Sequence, residues 1–177
     1  MSWFFNVLLG LLELFNKKQP EKQNKVEETI EMARARHLNN GKCPKCEEIL
    51  KKYPGLDEEL YTWFISYQRL VKEAHVSCAG RGKADQEDAL KRKVSKASYG
   101  KSPHNFNQAI DLFRINVHGA AEWDVTWYRN FVLPGVLMNP NLVWGGNWTS
   151  FKDYPHIEKK DWKEKVASGK AQLVEPE

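Results

Sequence analysis

Apolar residues recur along this chain in several distinct rhythms. Trp3 to Phe15 is apolar except at Asn6, Gly10 and Glu13, and a helix would gather those three into one narrow polar strip. The run is shorter than the roughly 20 residues a bilayer span needs. It also lacks the basic start and the small-residue cleavage site of a secretory signal. Three readings follow: a helix docked on the domain or a partner, an interfacial membrane helix, or an uncleaved export segment. Lys17 to Lys25 is polar, contains Pro20 and reads as a linker. From Val26 to about Leu38 the apolar positions Ile30, Met32 and Ala33 are sparse, which describes a solvated helix stopped by Asn39-Asn40-Gly41.

The pattern then tightens. A short helix is predicted from Pro44 to Tyr53, broken by Pro54-Gly55. Asp57 can cap the next, whose Leu60, Trp63, Phe64, Tyr67, Leu70 and Val71 fall at helical spacing and are predicted core. His75 to Gly80 reads as a strand running into Gly80-Arg81-Gly82, a turn that presents Arg81. Ala84 to Lys93 follows as a helix with acids near its start and bases near its end. Gln108 to Ile115 reads as a strand. Ala120 to Leu137 reads as an amphipathic helix carrying Trp123, Val125, Trp127, Phe131 and Val132, which Pro134 bends or ends. Leu142-Val143-Trp144 is a strand entering Gly145-Gly146, where the backbone must turn sharply or approach another group. The expected fold is α+β: helices packed on a small antiparallel sheet, with a helical N-terminal extension. The expected division is an amphipathic segment over 1–20, a helical lead-in over 21–72, a core over 73–160 and a tail over 161–177.

Composition narrows the function classes. With 177 residues, 41% hydrophobic and 28% charged, the chain can bury one real core. A net charge of +4 suits a mildly anionic partner such as a cell wall and lacks the clustered basic stripe of a nucleic-acid binder. Five of the seven Trp fall in the C-terminal third, where they serve a core or line a groove. Three cysteines do not make a disulfide framework. Cys43-Pro44-Lys45-Cys46 reads as two thiols opening a short helix. A metal site there would need partners such as Cys78 and His37 or His75.

Two stretches carry the chemistry. In the first, Asp111 sits between Ile110 and Leu112, where a carboxylate is costly unless paired or bound to a metal. His104, seven residues earlier, can be folded back toward it by an Asn-rich turn. Alone, that pattern equally describes a surface histidine and a strand-end aspartate. In the second, Asp153 and His156 flank Pro155, which fixes the approach to the histidine, so that both can face one point. Two histidines and one aspartate leave zinc an open fourth position, where water is acidified and a carbonyl polarised. Asp153 can supply the base, and Arg81 can hold an oxyanion or a substrate carboxylate.

These residues resemble a zinc peptidase family that contains D-alanyl-D-alanine carboxypeptidases, D-Ala-D-Ala dipeptidases and phage L-alanyl-D-glutamate peptidases. Ser102, His104, Ala109 and Asp111 match its S-x-H-x-x-G-x-A-x-D motif. Trp144, Gly145, Gly146, Trp148, Phe151, Asp153, Pro155, His156 and Glu158 match W-G-G-x-W-x-x-F-x-D-x-P-H-F-E. Ser77 to Gln86 resembles the family's arginine-bearing segment, which would make Arg81 its substrate-binding arginine. Asn107 replaces a motif glycine and Ile157 a phenylalanine; Asn tolerates a left-handed turn. The resemblance covers roughly residues 73 to 160. It implies one zinc ion held by His104, Asp111 and His156, with Asp153 as catalytic base and acid. It makes Ser102 and Glu158 candidates for orienting the ligands and places Trp144 on the cleft wall. It further implies hydrolysis of the peptidoglycan stem peptide, at L-Ala-D-Glu as in phage lysis systems or at D-Ala-D-Ala; a monomer is expected. From other classes, a non-catalytic wall-binding or virion protein and a zinc-ribbon module on Cys43 and Cys46 are the alternatives. The expected location is a host cytoplasm until release to the wall, or a virion.

Overall fold

The computed structural model describes residues 43–116 and 118–174. The readings of Trp3–Phe15, Lys17–Lys25 and Val26–Leu38 lie outside the described residues. Two helices come first, α1 (Pro44–Lys52) and α2 (Glu58–Leu70), then strand β1 (Ala74–Cys78) and helix α3 (Lys83–Lys91). A 3₁₀ turn (Pro103–Phe106) feeds β2 (Ala109–Ile115), followed by the two-residue β3 (Ala121–Glu122). A helical run follows, built from α4 (Val125–Trp127), a π-helical segment (Tyr128–Val132) and α5 (Leu133–Leu137). Strands β4 (Leu142–Trp144) and β5 (His156–Lys159) flank a 3₁₀ turn (Gly145–Asn147), and α6 (Trp162–Ala167) closes the order. The fold is α+β, as the strand and helix pattern predicts.

The strands form one antiparallel sheet in the order β1-β2-β5-β4, with β3 added to β2. Directly opposed residues in an antiparallel pair present their side chains to the same face. Ile110 opposes Ile157, and Ile157 opposes Trp144, so these three and Leu112 point to one side. That side is the core, where Leu60, Phe64 and Tyr67 of α2 meet Trp127, Tyr128, Val132 and Val136 of the helical run. Asp111 opposes His156, and Ala109 opposes Glu158, so the chemistry faces the other way. The lead-in helix α2 thus shares one core with the sheet. Its N-terminus is capped by Asp57, whose side chain accepts the Glu59 and Leu60 N–H groups.

Three local readings change. Ala121–Glu122 pairs with β2, and the helix starts only at Val125, where Asp124 accepts the Thr126 N–H at 2.9 Å. Trp123 is therefore outside the helix and exposed, stacked on Phe113 with ring centroids 5.7 Å apart. Pro134 does not end the helix; it sits in the first turn of α5, after a π-helical stretch has already shifted the hydrogen-bond ladder. Leu70, predicted core, lies at the end of α2 and is exposed.

An ion pair that the apolar pattern does not reveal ties α2 to the sheet. Lys159 is 2% exposed, and its ammonium donates to Glu59 Oε2. The other oxygen of Glu59 accepts the side-chain amides of Asn139 and Asn141, each at 2.9 Å. Lys159 first and the amides next hold the Glu59 carboxyl down at about 2. Glu59→Gln is expected to destabilise the protein by about 2 to 3 kcal/mol, because it strands a buried ammonium next to a half-exposed partner. Urea unfolding at pH 7 checks this. The depressed pKa adds a sign: the contribution is complete above the ordinary carboxylate range and fades as pH falls toward 2.

Candidate active site

The site is assembled by sheet register and one turn. Asp111 on β2 and His156 on β5 are direct cross-strand partners. His104 arrives from the 3₁₀ turn, which ends at Asn107 in the left-handed conformation, φ 55° and ψ 31°. Asn107 therefore does the conformational work of the motif glycine. Asn105, buried inside this turn, braces it: its Oδ1 accepts the Gly100 and Ser102 N–H groups, and its Nδ2 donates to Arg81 O and Gln86 Oε1. The sequence reading did not single out Asn105. An asparagine inside an N-rich turn carries no distinguishing signal by itself.

Three donor atoms converge. His104 Nε2, Asp111 Oδ1 and His156 Nδ1 lie 3.1 Å from one another along all three edges. Donors at about 2.0–2.2 Å from a tetrahedral zinc are separated by roughly 3.3 Å, so the triangle fits that ion with little rearrangement. The second nitrogen of each ring is also engaged. His156 Nε2 meets Glu158 Oε2 at 3.1 Å, and His104 Nδ1 meets Cys78 Sγ at 3.6 Å. The Cys78 thiol in turn donates to Gly80 O at 3.3 Å, and burial pushes its pKa up to about 12. Such contacts fix which nitrogen of each ring faces the centre.

The charges of these groups are set by burial and by one another. Burial opposes ionisation of Asp111, yet His104 and His156 outweigh it and hold the carboxyl well below its ordinary range. Burial lowers His104 to about 4, leaving it neutral. Burial also opposes the charge on His156, but hydrogen bonds to Asp111 and Glu158 raise it to about 9. A proton on His156 Nδ1 thus sits among the three donor atoms, and a metal bound there would displace it. The sign follows: zinc affinity at this site is expected to rise about tenfold per pH unit through neutrality and to level off above about 9. Calorimetric titration of the metal-stripped protein in buffers of different ionisation enthalpy should report release of one proton from this site near pH 7.

Arg81 does not stand free in the cleft. Its Nη2 donates to Asp111 Oδ2 at 2.9 Å, so one carboxylate oxygen holds the arginine while the other faces the two histidines. Asp153 lines the same cleft of about 400 Å³ together with Arg81, Ser102, His104, His156 and Glu158. Burial first, and the Asp111 charge next, raise Asp153 to about 6, a value suited to taking and returning a proton near neutrality. The loop carrying it is held tightly: Asp153 N–H donates to Gly145 O at 3.1 Å. A Cβ on Gly145 would lie 2.5 Å from Asp153 O, which explains glycine there.

Ser102 is buried on the cleft wall at the head of the turn, and Glu158 is placed against His156. Trp144, expected on the wall, is instead in the core, because it opposes Ile157 on the apolar face of the sheet; its indole N–H donates to Tyr154 O at 2.7 Å. The aromatic lining comes from Trp148, whose ring centroid is 5.1 Å from that of His156, and from Phe151, with Lys96 over its face at 4.3 Å.

Comparison with known proteins accords with this geometry. Residues 95–159 match the family described as D-alanyl-D-alanine carboxypeptidase. Over 72 residues the chain is 33% identical to the peptidoglycan L-alanyl-D-glutamate endopeptidase CwlK of Bacillus subtilis (strain 168), covering 37% of this chain and 43% of that protein. The chain thus matches less than half the length of that curated relative. The crystal structure of Serratia marcescens L-Ala D-Glu endopeptidase ChiX shares the fold, with a TM-score of 0.55 and 21% identity over 68% of this chain and 90% of that one. In its motifs and over residues 95–159 the chain is thus similar to the peptidase family of the D-alanyl-D-alanine carboxypeptidases and L-alanyl-D-glutamate peptidases, and it shares the fold of ChiX.

Proposed function

We propose that this protein is a zinc-dependent peptidoglycan peptidase that cuts the L-Ala-D-Glu bond of the stem peptide. The observation that carries the reading is the 3.1 Å triangle of His104, Asp111 and His156 opening onto a cleft that also holds Asp153. His104, Asp111 and His156 would hold the ion, whose Lewis acidity polarises the scissile carbonyl and acidifies water. Asp153 takes the proton from the attacking water and delivers it to the leaving amine. Glu158 and Cys78 keep the rings aimed. Arg81 neutralises the outer oxygen of Asp111 and lines the cleft, where a substrate carboxylate or oxyanion can be met. Trp148 and Phe151 supply an apolar wall for the peptide.

The choice of bond rests on CwlK and ChiX, both L-Ala-D-Glu endopeptidases, over the carboxypeptidase description of the family. Digestion of purified peptidoglycan followed by mass spectrometry separates the two. New peptides beginning with D-Glu are expected; release of free D-Ala alone would assign the carboxypeptidase activity. A phage lysis setting, with the protein held in a host cytoplasm or a particle before it reaches the wall, belongs to the same proposal. Comparing wall hydrolysis by the full chain and a chain lacking residues 1–20 tests whether Trp3–Phe15 contributes to delivery.

A further inference from the structure

The Cys43-x-x-Cys46 motif has no part in this chemistry, yet the fold brings it to a histidine. Cys43 immediately precedes α1, where its sulfur accepts the Cys46 N–H at 3.2 Å. Cys46 lies in the first turn of that helix, and His75 lies on β1, an edge strand of the sheet. A single ring nitrogen, His75 Nδ1, is 3.1 Å from Cys43 Sγ and 3.5 Å from Cys46 Sγ. All three donor atoms fall within 4.8 Å of one another, and all three residues are buried.

The spacings of this cluster are also those of a metal's ligands. Sulfur and nitrogen ligands of a tetrahedral zinc, at about 2.3 and 2.0–2.1 Å from the ion, are separated by roughly 3.5 Å, close to the spacings seen. Both sulfurs also accept N–H groups, Cys43 from the Cys46 backbone and Cys46 from the Gln68 amide at 3.6 Å. Cys46 accepts a backbone N–H from Val76 too, and Gln68 is itself anchored on Ala74 O at 2.9 Å. Donors aimed at sulfur stabilise its anionic form and orient it, as the outer partners of a metal site do. A thiol–disulfide exchange role requires a reachable sulfur, and both sulfurs are buried.

We propose that Cys43, Cys46 and His75 form a second metal site that binds zinc and fastens α1 to the edge of the sheet. Two thiolates and an imidazole select zinc over magnesium or calcium, and they leave one position to a further donor or a water. The site is structural. It clamps the lead-in to β1, whose neighbour β2 carries Asp111. The expected content then becomes two ions per chain in place of one.

Cobalt distinguishes the two sites, because His104, Asp111 and His156 offer it no sulfur. The full-length protein refilled with cobalt(II) should hold two ions per chain and show a sulfur-to-cobalt charge-transfer band in the near ultraviolet. His104→Ala and Cys78→Ser should keep that band, whereas Cys43→Ser/Cys46→Ser should lose it together with one ion. Wild-type stoichiometry and spectrum decide the question if that double variant fails to fold. One ion per chain without the band overturns the proposal. So does a band lost in Cys78→Ser but kept in the double variant, which would place the sulfur at the His104 site. A Cys43–Cys46 disulfide in natively purified protein, found by mass spectrometry, overturns it as well.

Discussion

Asp153→Ala is expected to slow peptidoglycan hydrolysis by roughly a hundred- to ten-thousand-fold, the usual contribution of a positioned general base, while leaving the metal in place. The side chain lines the cleft without joining the triangle of His104, Asp111 and His156, so on the proposed mechanism its removal should delete proton transfer and leave the metal ligands intact. Burial and the charge of Asp111 keep it near 6, where it exchanges protons readily. Alanine also removes a half-buried carboxyl whose pKa burial raises, so stability should hold or rise slightly. Rates from dye-release or mass-spectrometric assays, with metal content measured on the same samples, check both halves. Wild-type rates in this variant would show that another group moves the proton.

Asp111→Asn should produce the larger loss, and a different one. The carboxylate serves two partners: Oδ1 faces both histidines and Oδ2 receives Arg81 at 2.9 Å. Neutralising it removes the only anionic donor from the triangle and leaves the guanidinium, mostly buried, without its counter-charge. Metal affinity should fall by more than the roughly 10–100-fold that loss of an outer partner costs, and hydrolysis should fall with it. The stranded arginine adds a stability cost on the order of 3 kcal/mol. Metal competition with a chromophoric chelator and urea unfolding separate the two effects. In Asp153→Ala the metal stays and the rate falls; in Asp111→Asn both go.

Much of this site is legible from residue order, because the sheet register does the assembling. Asp111 within an apolar strand, and His156 fixed by Pro155 at the start of another, become cross-strand partners once both strands are recognised as antiparallel neighbours. Asn107 could be read as a left-handed stop, and it is one. What could not be read is which face each residue takes. Trp144 looks like cleft lining by motif, but pairing with Ile157 turns it into the core, and Trp148 takes the wall. Arg81 looks free to meet substrate because one chain order gives no sign that Asp111 claims it. The Lys159–Glu59 pair joins residues a hundred positions apart and leaves no local trace. Cys43, Cys46 and His75 are likewise split between a helix and a strand, so only the fold brings the third donor to the pair.

The zinc peptidase reading is tested most directly by mass spectrometry of purified peptidoglycan digested with chelator-stripped protein and with the same protein reloaded with zinc. Peptides with a new D-Glu amino terminus should accumulate only after reloading, and the Asp153→Ala protein should yield almost none even when loaded. Cleavage by the stripped protein at the loaded rate, or loaded wild type that leaves every stem-peptide bond intact, would contradict it.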